Sequence, residues 1–205
     1  DQEPQSERFS DEDATPARKR PRPGERRLQI LQTLASMLEQ PGTERVTTAS
    51  LAAKIGVSEA ALYRHFASKA QMFEGLIDFV DQSVIGLIRQ VTDREPAGPV
   101  QASRIVALLL QFAEKNPGMS RVMIGDALVL EHERLQERIN LLFDKIEAQL
   151  RQSLKGIESA TPTADAQLVA SLLVAFMQGR LQRFARSGFK RLPSEHLQAA
   201  LARIL

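Results

Sequence analysis

The sequence predicts an all-α fold. Apolar residues recur at three- and four-residue spacing in one segment after another. No run of alternating apolar and polar residues is long enough for a strand, and Gly and Pro cut the chain into helix-length pieces. About nine helices are expected: a three-helix bundle over residues 24–70, then a larger helical unit over 71–205 for dimerisation and regulation.

Residues 1–23 are polar and carry several prolines, so they are expected to stay disordered. Asp1, Glu3, Glu7, Asp11, Glu12 and Asp13 make their first part acidic. Arg18, Lys19, Arg20, Arg22, Arg26 and Arg27 then form a basic run opposed only by Glu25. A solvated tail is the better reading of residues 1–15, whereas the basic run is suited to phosphates or a minor groove. The chain begins at Asp1 rather than Met, and its natural start is expected upstream.

The first helix is expected from Glu25 to Glu39, on the stripe Leu28, Leu31, Leu34, Ala35 and Leu38, with Pro41-Gly42 as its stop. Arg26 and Arg27 stand at its N-terminus, against the macrodipole, where a phosphate partner explains them better than stability does.

Residues 47–66 read as two short helices at a tight turn. Leu51 and Ile55 share one face, and Leu62 and Phe66 share one on the next helix. Gly56 suits a left-handed corner, Val57 plugs it, and Ser58 caps the second helix. The small Ala52 and Ala53 permit a close, steep crossing. This is the layout of a helix-turn-helix, whose second helix enters the major groove. Ser58 and Ala60 are short enough to approach base edges, and Glu59, Tyr63, Arg64 and His65 lie between the buried positions. Tyr63 and Arg64 reach phosphates or bases, and Lys69 is expected to add a phosphate contact one turn on. Thr47 and Thr48 open the preceding helix, where hydroxyls and free N–H groups suit a phosphate oxygen.

Ser68-Lys69-Ala70-Gln71 reads as a capping box that opens a long helix to about Val91, apolar at Met72, Phe73, Leu76, Ile77, Val80, Val84, Leu87 and Ile88. It would link the two units as a lever. A loop follows over 92–99. A helix apolar on more than one face spans Val100–Lys115 and is therefore central, with Asn116-Pro117-Gly118 as its stop. A short helix over Ser120–Leu130, bent at Gly125, precedes one over Glu133–Lys155. The segment Ala164–Ser187 carries Leu168, Leu172, Ala175, Phe176, Gly179 and Phe184, and the last helix carries Leu197, Ala200, Leu201 and Ile204. Leu168, Leu172, Ala175, Phe176, Gly179, Leu197 and Leu201 are the candidate two-fold seam of a homodimer, against ordinary packing within one chain.

Composition narrows the chemistry. At 205 residues and a formal net charge of +2, the chain has no cysteine, so it has neither disulfide nor thiolate. No apolar run reaches the roughly 20 residues of a membrane span. A cytoplasmic protein is the expectation. The three histidines, His65, His132 and His196, have no zinc-helix spacing; no nucleophile elbow and no phosphate loop occur. No metal, cofactor or catalytic constellation is expected, and the choice lies between kinds of binding protein.

Leu62-Tyr63-Arg64-His65-Phe66-Ala67-Ser68-Lys69 followed by Met72-Phe73 resembles the end of the DNA-binding domain of TetR-family regulators. Ile30 to Ala35, Val57 to Phe66, Met72 to Ile77, Glu114 to Gly118, Arg138 to Gln152 and Arg183 to Lys190 are similar, more narrowly, to the nucleoid occlusion members of that family. The resemblance runs from about Glu25 to the C-terminus and is weakest between Thr92 and Arg104. It implies a dimer on double-stranded DNA, associated with the nucleoid, that disrupts assembly of the division protein FtsZ. It also implies that the C-terminal tail of FtsZ docks near Phe79, Leu108, Lys115 and Asn116, although Leu87 and Gln111 stand where that family leads one to expect a basic and a small residue. The other reading is a TetR-type repressor whose helical body holds a small effector.

Overall fold

The computed structural model describes residues 24–40, 45–156 and 161–205. The N-terminal arm over 1–23, with Arg18, Lys19, Arg20 and Arg22, and the Pro41-Gly42 stop lie outside the described residues. Among those described there are nine α-helices and no strand. They are α1 (Glu25–Leu38), α2 (Thr48–Ile55), α3 (Glu59–Tyr63), α4 (Lys69–Thr92), α5 (Pro99–Lys115), α6 (Pro117–Met123), α7 (Glu133–Ser153), α8 (Pro162–Arg186) and α9 (Leu197–Ile204). A 3-10 turn, Asp126–Leu128, sits between α6 and α7.

Local chemistry sets most of these boundaries. Thr47 and Ser50 exchange side-chain hydrogen bonds with each other's backbone N–H, both at 3.1 Å, and so open α2. Gly56 closes it at φ 79°. At α4 the box is shifted by one residue: Ser68 accepts from the Gln71 N–H, but the Gln71 side chain takes the N–H of Ala67.

Two expected helix boundaries need correction. The second helix of the helix-turn-helix ends at Tyr63, so Phe66 follows it in a terminal turn rather than lying on it. The N–H groups of His65 and Phe66 both return to the Leu62 carbonyl and close that turn. And Asn116-Pro117-Gly118 does not separate two helices by a loop. Proline needs no N–H partner in a first turn, so α6 starts at Pro117 itself and stops at Met123, before Gly125 with φ 77°.

Helices α1–α3 form a head and α5–α9 a body, with α4 running through both. In the body, α5 is buried at Ala102, Ile105, Val106, Leu109, Leu110 and Ala113, against α4, α7 and α8. Its buried polar residue is paired: the Ser153 hydroxyl of α7 donates to Gln101 Oε1 at 2.6 Å, and Gln101 Nε2 donates to the Glu95 carbonyl. Leu197 and Leu201 of α9 are only 5% and 2% exposed, which corrects their assignment to the dimer seam. Their apolar edge is consumed inside the protomer, mostly against α8.

Among the described residues, two junctions join head and body. Helix α6 lies so close on α1 that a Cβ at Gly118 would stand 2.2 Å from the Ala35 carbonyl oxygen. Beside this crossing, Arg121 Nη1 donates to the Leu38 carbonyl at 3.2 Å. The second junction is ionic. Glu131, its side chain 7% exposed, takes Lys69 of α4 at 2.5 Å and Arg45 at 3.5 Å, and Arg45 Nη2 also donates to the Leu130 carbonyl.

Gly118→Ala forces α1 and α6 apart and should lower stability by about 1–3 kcal/mol, the usual range for overpacking a tight core. Unchanged urea unfolding would mean the crossing is looser than described. Glu131→Gln leaves two cations facing a neutral amide. Amide exchange in α1–α3 should then quicken by roughly tenfold or more, from a loss of about 1–3 kcal/mol at a largely buried charged group; unaltered protection of those helices contradicts it.

Candidate nucleic-acid interface

Helix α3 is held from beneath and bare above. Leu62 and Phe66 are buried, while Ser58, Glu59, Ala60, Tyr63, Arg64 and His65 are exposed. The end of α3 is clamped to α1: Arg27 Nη1 donates to the His65 carbonyl at 2.8 Å, and its guanidinium lies 4.0 Å above the Phe66 ring. Sequence reasoning places Arg27 in a basic run at the start of the first helix and gives it a phosphate partner rather than α3. Nothing in the local pattern separates it from Arg26, which stays on its own helix and donates to Gln29 Oε1.

The start of α3 is tied to α2, where the Thr48 hydroxyl donates to Glu59 Oε2 at 2.6 Å. Thr47 and Ser58 serve as caps, Ser58 accepting from the Ala61 N–H. These bonds fix the angle between α2 and α3 and leave Ala60, Tyr63, Arg64 and His65 outward. Arg64 has no ion partner among the described residues. Lys69 does not join this face, which corrects its placement there. Its side chain is 19% exposed, bound to Glu131 and 5.7 Å above the Phe73 ring.

The second set of expected residues lies on the body. Phe79 of α4 is 45% exposed, with its ring 6.4 Å from that of Phe112 on α5. Leu108, Phe112 and Lys115 follow at helical spacing along α5, so these four share one seam between α4 and α5. From sequence, Phe112 belongs to the core, because its spacing fits the apolar stripe equally well. Lys115 is exposed, and Asn116 caps α5 by donating Nδ2 to the Phe112 carbonyl at 2.7 Å. Leu87 is partly buried against the core and Gln111 is exposed.

On α8, Leu168, Leu172, Ala175 and Gly179 form an exposed line, and a Cβ at Gly179 would touch nothing of this chain. Phe176 is half-buried, with the Arg180 guanidinium 4.9 Å above its ring. Among the described residues no three His, Asp or Glu side chains are grouped to hold a metal, and no helix is long and apolar enough to cross a membrane.

Residues 30–76 match the family model of bacterial regulatory proteins of the tetR family, and residues 99–203 match the SlmA-like model, a tetracyclin repressor-like C-terminal domain. Among solved structures, a transcriptional regulator from Rhodococcus sp. RHA1 superposes with a TM-score of 0.70 at 21% identity, covering 87% of this chain and 92% of its own. FadR from Bacillus subtilis, in complex with stearoyl-CoA, gives 0.68 at 13% identity, covering 86% and 96%. At those identities the likeness is one of fold. Relatives closer in sequence are the nucleoid occlusion factor SlmA of Idiomarina loihiensis, 49% identical over 85% of this chain and 90% of its own, and that of Shewanella oneidensis, 51% identical over 83% and 88%. With its tetR-type head and SlmA-like body, the chain belongs to the SlmA family of nucleoid occlusion factors.

Proposed function

We propose that this protein is a DNA-binding nucleoid occlusion factor. Two subunits joined along α8 set their α3 helices into successive major grooves of double-stranded DNA, and the nucleoid-bound dimer antagonises FtsZ assembly there. The observation that carries the reading is the clamped, outward face of α3. Arg27 and Thr48 fix the helix from both ends, so Ala60, Tyr63 and Arg64 are presented without a further cost of ordering. Ala60 fits close to base edges or thymine methyls, and Tyr63 and Arg64 reach bases or the flanking phosphates.

The FtsZ tail is assigned to the α4–α5 seam. An extended peptide with acidic and apolar residues matches the groups on that seam: two aromatic rings, Leu108, and the ammonium of Lys115 at its end. Asn116 shapes the end of the seam through its cap. The partial exposure of Phe79 supports the assignment, since an aromatic left half in water at a helix junction gains by being covered. A repressor that answers to a small effector is the less favoured reading, because the relatives of high identity carry the nucleoid occlusion name.

Arg64→Ala should weaken DNA binding and reduce the slope of log K against log salt by about 0.9 for each phosphate it no longer neutralises. An unchanged slope removes Arg64 from the interface. Lys115→Glu should weaken binding of an FtsZ tail peptide by roughly tenfold or more, equivalent to about 1.4 kcal/mol, while DNA affinity is retained. Equal loss of both activities points to misfolding and sinks the assignment.

A further inference from the structure

The C-terminal end of α8 carries exposed cations that binding through α3 and the α4–α5 seam leaves unused. Arg183 and Arg186 lie one turn apart on the helix, and Lys190 and Arg191 come in the turn after it. None of these four side chains has an acidic partner among the described residues. Arg180, one turn earlier, differs: it donates to the Glu195 carbonyl at 2.7 Å and covers Phe176.

The turn that presents Lys190 and Arg191 is held by several bonds at once. The Ser187 hydroxyl donates to the Phe184 carbonyl at 2.8 Å and accepts the N–H groups of Lys190 at 3.1 Å and Arg191 at 2.9 Å. The Phe189 N–H returns to the Phe184 carbonyl, and its ring meets the Phe184 ring edge-on at 5.1 Å. Phe189 adopts φ 63° here, a left-handed conformation that bulky residues rarely take. The strain is met by interactions that fix the direction of two successive cations.

The patch lies at the head end of the molecule. Arg186 lines a hollow of about 390 Å³ with Gly125, Asp126 and Val129. Asp126 and Val129 line the adjoining hollow with Arg45 and Val46, which lead directly into Thr47 and α2. The exposed line Leu168, Leu172, Ala175 and Gly179 continues along α8 at helical spacing into Arg183 and Arg186. The dimer proposed above, joined along that line, would bring both copies of the patch towards its axis on the side of the heads. Cations gathered there repel one another unless an anion neutralises them.

We infer that the end of α8 is a second site of DNA binding, in which Arg183, Arg186, Lys190 and Arg191 grip phosphates of the duplex between the two reading helices and read no bases. It rests on the proposal that a dimer joined along α8 binds DNA through α3, and the test separates the two DNA sites. Full-length wild type, Arg64→Ala, Arg186→Ala/Lys190→Ala and Arg186→Lys are titrated with a long random-sequence duplex across a KCl series. The α8 double variant should show a salt slope lower by about 0.9 for each phosphate no longer neutralised, while Arg186→Lys, which keeps the charge, retains the wild-type slope. If wild type and Arg64→Ala differ as expected but the double variant keeps the wild-type slope, the α8 site is overturned and the α3 reading stands. If wild type binds no duplex at low salt, both fall. Binding of the double variant abolished at every salt concentration, with α8 amide protection also gone, assigns the residues a structural role and overturns the site.

Discussion

The rest of the structure depends on one close approach: α6 on α1, where Gly118 meets the Ala35 carbonyl. Any side chain at 118 would put a carbon 2.2 Å from that oxygen, well inside van der Waals distance. The crossing sets where α1 lies on the body, and α1 in turn carries the reading helix. Arg27 reaches from α1 to the His65 carbonyl and the Phe66 ring, so the end of α3 follows α1 rather than moving on its own. Helices α6 and α3 are thus joined through α1, by the close approach at Gly118 and by the Arg27 clamp. Glu131 holds the second junction, joining Lys69 at the start of α4 and Arg45 before α2 to the loop ahead of α7. Packing sets the distance between head and body; the carboxylate adds direction, because both cations must face it.

How far this was legible in the sequence depends on how local each feature is. Apolar stripes and caps are local, so the long helices and the Gly56, Ser58 and Ser68 signals were readable to within a residue or two, whereas Thr47, read as a phosphate contact, caps α2 instead. The early end of α3 was not, since Leu62 and Phe66 have helical spacing whether Phe66 lies on the helix or in the turn after it. Lys69 fits a phosphate contact by position, but its surroundings include Glu131, 62 residues away along the chain. Arg27 is similarly defined by a carbonyl 38 residues on. Leu197 and Leu201 show the complementary limit: an amphipathic edge states that something covers it, but not whether the cover is the same chain or another. The exposed face of α3 was legible because helix-turn-helix spacing is specific. Phe112 was not, because a residue on the border of a buried stripe serves the core and the seam alike.

The placement of the proposed sites bears on how one chain serves two partners. The reading helix hangs from α1, and the α4–α5 seam that would take the FtsZ tail lies on the helix that spans head and body. Both are tied to the junction around Gly118: α6 comes after α5 with only the single residue Asn116 between them, and the Asn116 amide caps the end of that seam. A ligand seated at Lys115 and Asn116 would therefore press on the first residues of α6, which pack on α1 at Gly118. For a ligand at one site to change affinity at the other, it must favour one arrangement of a shared element, and the influence must then be equal in both directions. Helix α6 is short, packed tightly on one side and joined without slack on the other, which are the properties such an element needs. If the duplex raises affinity at the proposed seam, a partner seated on that seam must raise affinity for the duplex by the same factor.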